Sequence, residues 1–176
     1  AFVGGSKQQV ALVDIANYYA SRGFVVFSID YRLRDHMGTI PQEWIDSISG
    51  GSPSNLNQIY AMYPAHRDAK AALRWIIANV ENYHINKECI TVGGGSAGAI
   101  TSIGLGASEL GDYKDEISLS EDNTLSTTNL SQTYEVKTIL DFWGSNASIE
   151  ILESIYGYQR FDSNDPALFI AHGTED

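Results

Sequence analysis

The sequence is poor in basic residues, cysteine and long apolar runs. Lys and Arg number 11 against 22 Asp and Glu, and the formal net charge of −11 argues against nucleic acid as a partner, since phosphate binding needs clustered cations. No apolar run approaches the roughly 20 residues of a membrane-spanning helix, so we expect no membrane span. The single cysteine, Cys89, excludes an internal disulfide, and its place at the start of an apolar run predicts a buried structural thiol. Compartment and oligomeric state stay open.

The residues that are present predict one α/β domain over residues 1–176. Hydrophobic residues make up 43% of the chain and charged residues 19%, as in ordinary globular proteins. Helical and strand patterns alternate, which is typical of a mostly parallel sheet with helices on both faces. We predict helices over 8–22, 65–83, 97–107 and 148–156, and strands over 24–30, 89–92, 136–143 and 167–171.

Two stretches lack a sustained period and predict excursions from this core. Residues 34–64 contain several Gly and Pro, and we expect an irregular segment that forms either part of a cap or acyl pocket or an ordinary covering loop. Residues 109–135 are polar, so we expect a surface excursion that can include a short helix. The acids between Asp112 and Asp122 are interpreted as a solvated face, and no metal or organic cofactor is implied.

The motif that carries chemistry is Gly94-Gly95-Ser96-Ala97-Gly98, which matches G-x-S-x-G between a predicted strand and a predicted helix. This turn is so sharp that neighbouring side chains would collide, and it exposes the serine above the sheet. The sequence therefore predicts Ser96 as a nucleophile. The Ala97 amide, at the helix N-terminus, is the expected first oxyanion donor.

A rival pattern overlaps this motif, because Gly93, Gly95 and Gly98 also read as the dinucleotide fingerprint G-x-G-x-x-G. That interpretation needs an acidic residue at the end of a second strand about 20 residues later. The stretch 110–116 has no strand character, so the hydrolase interpretation is favoured. A purely structural role for the glycines, in close packing of strand and helix, is the other alternative.

A hydrolytic serine needs an acid and a base histidine, which follow it in that order in α/β-hydrolases. Asp176, after the last predicted strand, is the preferred acid, and Asp141 is the alternative. All four histidines precede Asp176, so the sequence contains no residue in the position of the base. His172 is interpreted as making a local hydrogen bond, and His66 and His84 as surface or capping residues.

The chain resembles the α/β-hydrolase carboxylesterases and lipases, in particular the hormone-sensitive-lipase-like and type-B carboxylesterase-like groups. Five segments in the family's order carry this resemblance over nearly the whole length. They are Phe2-Val3-Gly4-Gly5-Ser6, Asp30-Tyr31-Arg32-Leu33, the stretch 68–75 (DAKAALRW), Gly94-Gly95-Ser96-Ala97-Gly98-Ala99 and His172-Gly173-Thr174-Glu175-Asp176.

The resemblance implies hydrolysis of a small-molecule carboxylic ester by Ser96 and Asp176, with Ala97 and Ala1 at the oxyanion hole. The family's His-Gly-Gly segment, which would precede Ala1, and its catalytic histidine, which would follow Asp176, are absent. The resemblance thus implies a domain truncated at both ends and, as it stands, a weak or inactive catalyst. Alternatives are a catalytically inactive binding or scaffold protein on the same fold, and a peptidase or acyltransferase.

Overall fold

The computed structural model describes residues 2–48 and 53–175. Its centre is a sheet of three parallel strands, β1 (Ile90–Gly95), β2 (Val136–Phe142) and β3 (Ala167–Ala171), in that spatial order. The apolar runs predicted as strands at these three places are confirmed, and β1 extends further into the glycine cluster than predicted. Because all three strands run the same way, the residues that follow them lie at one edge of the sheet, which we call the carboxyl edge.

The described part of the chain also contains six α-helices. They are α1 (Val10–Ala20), α2 (Gln42–Ser47), α3 (Pro53–Ala78), α4 (Val80–Tyr83), α5 (Ala97–Ala107) and α6 (Ala147–Tyr156), with 3₁₀ turns at Arg34–His36 and Asn123–Thr127. Helix α5 is rich in Ala and Gly, which lets it lie close to β1 and β2 while also contacting α3 and α6. The predicted helices and parallel sheet are confirmed as elements of an α/β fold.

The strand predicted over residues 24–30 is wrong as a sheet element. This segment is extended but forms no strand ladder in the described structure, and Phe24, Val25 and Val26 are each at least 39% exposed. Its far end is instead tied by Lys7, whose amide donates to Asp30 Oδ1 over 2.7 Å and whose carbonyl accepts from Ser28 Oγ over 2.9 Å. An apolar run becomes a sheet strand only where the backbone of a neighbouring strand completes its hydrogen bonds.

The prediction of an irregular stretch over residues 34–64 is also wrong for its described part, and residues 49–52 of that stretch lie outside the described residues. It contains α2 and the first half of α3, which begins at Pro53 and continues through Pro64. Pro64 has no N–H to donate within α3, but the buried stripe of the helix extends on both sides of it and outweighs the lost hydrogen bond. Trp44 and Tyr63 pack into the hydrophobic core at 1% exposure each. A cap function for this stretch stays a prediction.

Two burial predictions fail. Cys89 is exposed, because it lies in the bend before β1 rather than within the strand. Residues 109–128, which we call the covering segment, are not a simple surface excursion. They pack against α3, and Asp112, Tyr113, Ile117 and Leu125 are buried.

Candidate active site

Ser96 occupies the sharp turn between β1 and α5, as predicted. Its φ of 52° and ψ of −118° lie in a region that residues with a side chain rarely adopt, and its side chain is exposed at the carboxyl edge. The Ser96 amide donates to the carbonyl of Phe142 over 2.9 Å, and its own carbonyl accepts from Ala99 and Ile100 in the first turn of α5. Backbone contacts on both sides therefore hold the strained residue in place.

The glycines around Ser96 are required by close approach of the backbone. A Cβ atom built on Gly94 would lie 2.5 Å from the carbonyl carbon of Gly98, and one on Gly95 would lie 2.8 Å from Cζ2 of Trp143. A Cβ on Gly98 would meet nothing within 4 Å, so this glycine matters for the backbone that it presents to Gly94. The predicted collisions therefore exist at Gly94 and Gly95.

Ala97 is the first residue of α5 and is buried directly behind Ser96. The first N–H groups of a helix lack intrahelical acceptors, and the helix dipole adds partial positive charge there. The first turn of α5 contains no acidic residue that would compete for these donors. This placement suits an oxyanion donor, and the role of Ala97 stays a prediction.

The acid and the second oxyanion residue are less completely defined. Asp176 and Ala1 lie outside the described residues, so both assignments stay predictions. Glu175, just before Asp176, follows β3 at the carboxyl edge. Asp141, the alternative acid, is 4% exposed within β2, and its Oδ1 accepts from the amide of Gly144 over 2.7 Å. That bond closes the turn after β2.

The histidines differ in their surroundings, and the prediction for His66 is wrong. His66 is fully buried between α3 and α5, with Nδ1 2.8 Å from the carbonyl oxygen of Met62 and Nε2 3.2 Å from that of Ile100. Burial lowers its pKa to about 4. His84 is exposed at the end of α4, as predicted, and His172 is exposed beside the Gly173 carbonyl. No hydrogen bond joins Ser96 to a histidine within residues 2–48 and 53–175.

Sequence reasoning missed Trp143, which lies at the carboxyl edge beside the nucleophile. Its indole lies against Gly95, its φ of 48° is left-handed, and its side chain is 55% exposed. The Trp143 amide donates to the carbonyl of Ala171 at the end of β3 over 2.8 Å. The signal was available in the sequence, because an apolar run that ends in Trp-Gly at a predicted strand end marks an aromatic side chain at this edge.

A cluster of buried titratable side chains on α3 was missed as well. His66, Arg67, Lys70 and Arg74 are all at most 3% exposed. Lys70 donates to the carbonyls of Glu109 and Asp112, and burial lowers its pKa to about 7.

Partners for these charges come from the covering segment, so the interpretation of its acids as a solvated face is wrong for Asp112 and Asp122, whereas Asp115 and Glu121 are exposed. Asp122 pairs with Arg67 over 3.0 Å. Asp112 is 6% exposed and binds Arg160 through both carboxylate oxygens, each 2.9 Å from a guanidinium nitrogen. The i, i+3, i+7 spacing of Arg67, Lys70 and Arg74 marks one helical face, which was the available signal.

Neither a metal-binding cluster nor a membrane-spanning helix is present among the described residues. Among residues 2–48 and 53–175, no group of three or more His, Cys, Asp or Glu side chains is arranged to hold a metal ion. None of the helices described is both long enough and apolar enough to cross a membrane.

Comparison with known proteins agrees with this geometry. The sequence model of the BD-FAE family matches residues 56–160. None of the curated proteins matches the chain. Among solved structures, Thermogutta terrifontis esterase 2 phosphorylated by paraoxon superimposes with a TM-score of 0.61 at 20% identity, covering 99% of this chain and 55% of that one.

The same Thermogutta terrifontis esterase phosphoramylated by tabun gives a TM-score of 0.60 at 19% identity, covering 99% of this chain and 56% of that one. At such identities the likeness shows the fold, which is the α/β-hydrolase fold. The chain spans about half the length of these solved structures.

Proposed function

Because the chain belongs to the BD-FAE family, an α/β-hydrolase-type esterase domain, we propose that the protein is a serine hydrolase that cleaves small-molecule carboxylic esters through an acyl-enzyme on Ser96. One observation carries the assignment of the nucleophile. Ser96 is exposed at the carboxyl edge with a left-handed φ of 52°, and backbone hydrogen bonds hold it at the start of α5. Strain of this kind persists only where the surroundings enforce it.

In the proposed reaction, Ser96 Oγ attacks the ester carbonyl carbon and gives its proton to a histidine base. The carbonyl oxygen becomes an oxyanion, which accepts hydrogen bonds from the Ala97 amide and, in the arrangement implied by the family, from Ala1. The tetrahedral intermediate expels the alcohol, which takes up the proton from the base. Water then hydrolyses the acyl-enzyme and releases the carboxylic acid. Asp176, or alternatively Asp141, orients the histidine.

Trp143 is the proposed substrate contact closest to the nucleophile. Its indole lies against Gly95, the residue before Ser96, and more than half of the side chain remains accessible. An exposed aromatic ring beside a nucleophile offers apolar surface to the acyl or alcohol group of an ester. We therefore expect replacement of Trp143 by Ala to raise KM more than it lowers kcat.

The test is covalent labelling of the full-length protein with paraoxon, the organophosphate that modifies the Thermogutta terrifontis esterase in its solved structure. Intact mass measures the extent of reaction, and peptide mapping finds the modified residue. We expect a single adduct on Ser96 and none in Ser96→Ala. Ser145→Ala is the matched control, because Ser145 is an exposed serine in the turn after β2 at the same edge.

The absence of an adduct from folded full-length protein would contradict the mechanism and favour an inactive binding or scaffold protein. That alternative is motivated by one observation, the lack of a histidine bonded to Ser96 in the described residues. If Ser96 is labelled, a substrate panel separates the remaining alternatives. Ester hydrolysis supports the proposal, peptide cleavage indicates a peptidase, and a new ester formed from an added alcohol indicates an acyltransferase.

A further inference from the structure

An arginine-lined cavity between α3 and the covering segment is distinct from the Ser96 site. Its volume is about 280 Å³. Its charged and hydroxyl lining consists of Arg32, Arg67, Asp68, Arg74, Thr124 and Thr128. Three of the six arginines in the sequence therefore line one cavity, and the lining contains a single carboxylate. In the whole chain, by contrast, acidic residues outnumber basic ones by 22 to 11. The cavity locally reverses the sign of the chain's charge.

The three guanidinium groups differ in how well they are satisfied. Arg32 is paired with Asp68, which accepts from its Nε and Nη2 and from its backbone amide. Arg74 is 2% exposed and donates to the carbonyl and hydroxyl oxygens of Thr128. Neither of these hydrogen bonds involves a carboxylate, so both acceptors of the Arg74 guanidinium are uncharged polar atoms.

Arg67 has the clearest deficit. It is 3% exposed, and its Nη1 donates to Asp122 Oδ2 over 3.0 Å. Its Nη2 is buried and has no hydrogen-bond partner among residues 2–48 and 53–175. A buried guanidinium donor without an acceptor is costly, and a bound water or ion is one way in which proteins satisfy such a group.

We propose that this cavity binds a small oxyanion, a phosphate or carboxylate group, between Arg67 and Arg74. Both chemistries present the paired acceptor oxygens that a guanidinium fork recognises. The Thr124 and Thr128 hydroxyls border the cavity, and Thr128 Oγ1, 3.2 Å from Arg74 Nη2, helps to fix that guanidinium. The bound anion supplies the acceptor that Arg67 Nη2 lacks. Asp122 competes with it for Arg67, so the carboxylate of Asp122 limits the affinity.

The competition gives two variants that move binding in opposite directions. Arg67→Gln removes the unsatisfied donor and is expected to weaken binding about tenfold or more, the range for loss of a charge-assisted hydrogen bond. Asp122→Asn keeps the acceptor oxygen for Thr124 but removes the competing charge, and is expected to tighten binding. Arg22→Gln is the matched control, because Arg22 is exposed beyond α1 and makes the same change in net charge.

The experiment is calorimetric titration of the folded chain with inorganic phosphate, and separately with succinate, against sodium chloride at equal ionic strength. Saturable binding that weakens in Arg67→Gln, tightens in Asp122→Asn and is unchanged in Arg22→Gln supports the site. Binding of only one of the two probes identifies which oxyanion the site takes.

Three outcomes overturn the proposal. The first is wild-type protein that binds neither probe beyond the chloride control. The second is binding that Arg67→Gln and Arg22→Gln weaken equally, which indicates an effect of net charge. The third is binding that neither Arg67→Gln nor Asp122→Asn alters, which places the anion elsewhere, including the Ser96 edge. If Arg67→Gln fails to fold, the anion affinities of wild type and Asp122→Asn still test the proposal, because unchanged affinity in Asp122→Asn contradicts the proposed competition.

Discussion

The carboxyl edge around Ser96 and the buried charged face of α3 are built by opposite means. At the edge, Gly94, Ser96 and Gly98 are neighbours in sequence, and backbone atoms make the close contacts. On α3, the charges of Arg67 and Lys70 find partners 55 and 39 positions away in the covering segment. The edge depends on local geometry, whereas the charged face depends on long-range pairing.

The two regions also differ in the source of their energetic cost. At Ser96 the cost is backbone strain, which the fold imposes on a few residues. At the charged face the cost is desolvation of cations and carboxylates, which is offset only while every partner stays in place. Substitutions should therefore be most damaging where they leave a buried charge alone, less damaging where they add a single atom, and least damaging where they alter one titration.

The largest effect is expected from Asp112→Ala. This substitution leaves Arg160, at 3% exposure, without the carboxylate that binds two of its guanidinium nitrogens. Removing one member of a buried ion pair costs about 3–5 kcal/mol, because the remaining charge is still desolvated. Denaturant unfolding should show a loss of that size in the free energy of unfolding.

Asp115→Ala is the matched control in the same segment. The Asp115 side chain is 67% exposed and its ion pair with Lys114 spans 3.3 Å, so we expect a change within about 0.5 kcal/mol. If both variants lose the same free energy of unfolding, the buried pair between Asp112 and Arg160 contributes no more than an exposed one. The covering segment would then behave as the solvated face that its composition suggested.

A smaller but still large effect is expected from Gly94→Ala. The added Cβ would lie 2.5 Å from the Gly98 carbonyl carbon, and backbone on both sides of the contact restricts relaxation. Overpacking of this kind costs about 3 kcal/mol. The free energy of unfolding should fall by that amount, and paraoxon labelling of Ser96 should slow because the turn is displaced.

Gly98→Ala provides the opposite case in the same motif. Its Cβ would meet nothing within 4 Å, and Gly98 lies inside α5, where Ala is favoured over Gly by roughly 0.5–1 kcal/mol. The free energy of unfolding should stay the same or rise slightly. If Gly94→Ala is tolerated as well as Gly98→Ala, the turn is looser than its contacts indicate.

The sequence predicted the edge well because its determinants are local. The order strand, G-x-S-x-G, helix specifies the turn at Ser96, and β1, α5, β2 and β3 were all predicted close to their observed bounds. The contact between Trp143 and Gly95 was missed, because it crosses from the end of β2 to β1. A single strand's pattern does not reveal what lies beside it in a sheet.

The charged face was not predicted because burial of a charge depends on partners distant in sequence. Hydropathy places Asp112 and Asp122 in solvent and Arg67 on a helix surface, and only the folded chain brings Asp122 to Arg67. The same logic explains the error at Phe24–Asp30, where apolar residues alone did not provide a pairing strand. It also explains His66, whose full burial comes from α5 packing across α3.

The smallest expected effect is a pH dependence of the free energy of unfolding, and it concerns His66. Burial lowers the pKa of His66 in the folded protein to about 4, against an ordinary value of 6.5, although the Met62 and Ile100 carbonyls partly oppose the shift. Between these pH values the unfolded chain binds more protons than the folded protein. The free energy of unfolding should therefore fall as the pH is lowered from about 6.5 to about 4.

Unfolding measured across this range in wild type and in His66→Asn isolates the contribution, because other titrating groups such as Glu116 are common to both proteins. The variant should be less stable at neutral pH but should show a shallower loss on acidification. His84→Asn is the matched control, since His84 is exposed and its left-handed backbone suits Asn. A pH slope in His66→Asn as steep as in wild type would show that protonation of His66 is not what couples acid to unfolding, and that the buried face of α3 tolerates the added charge.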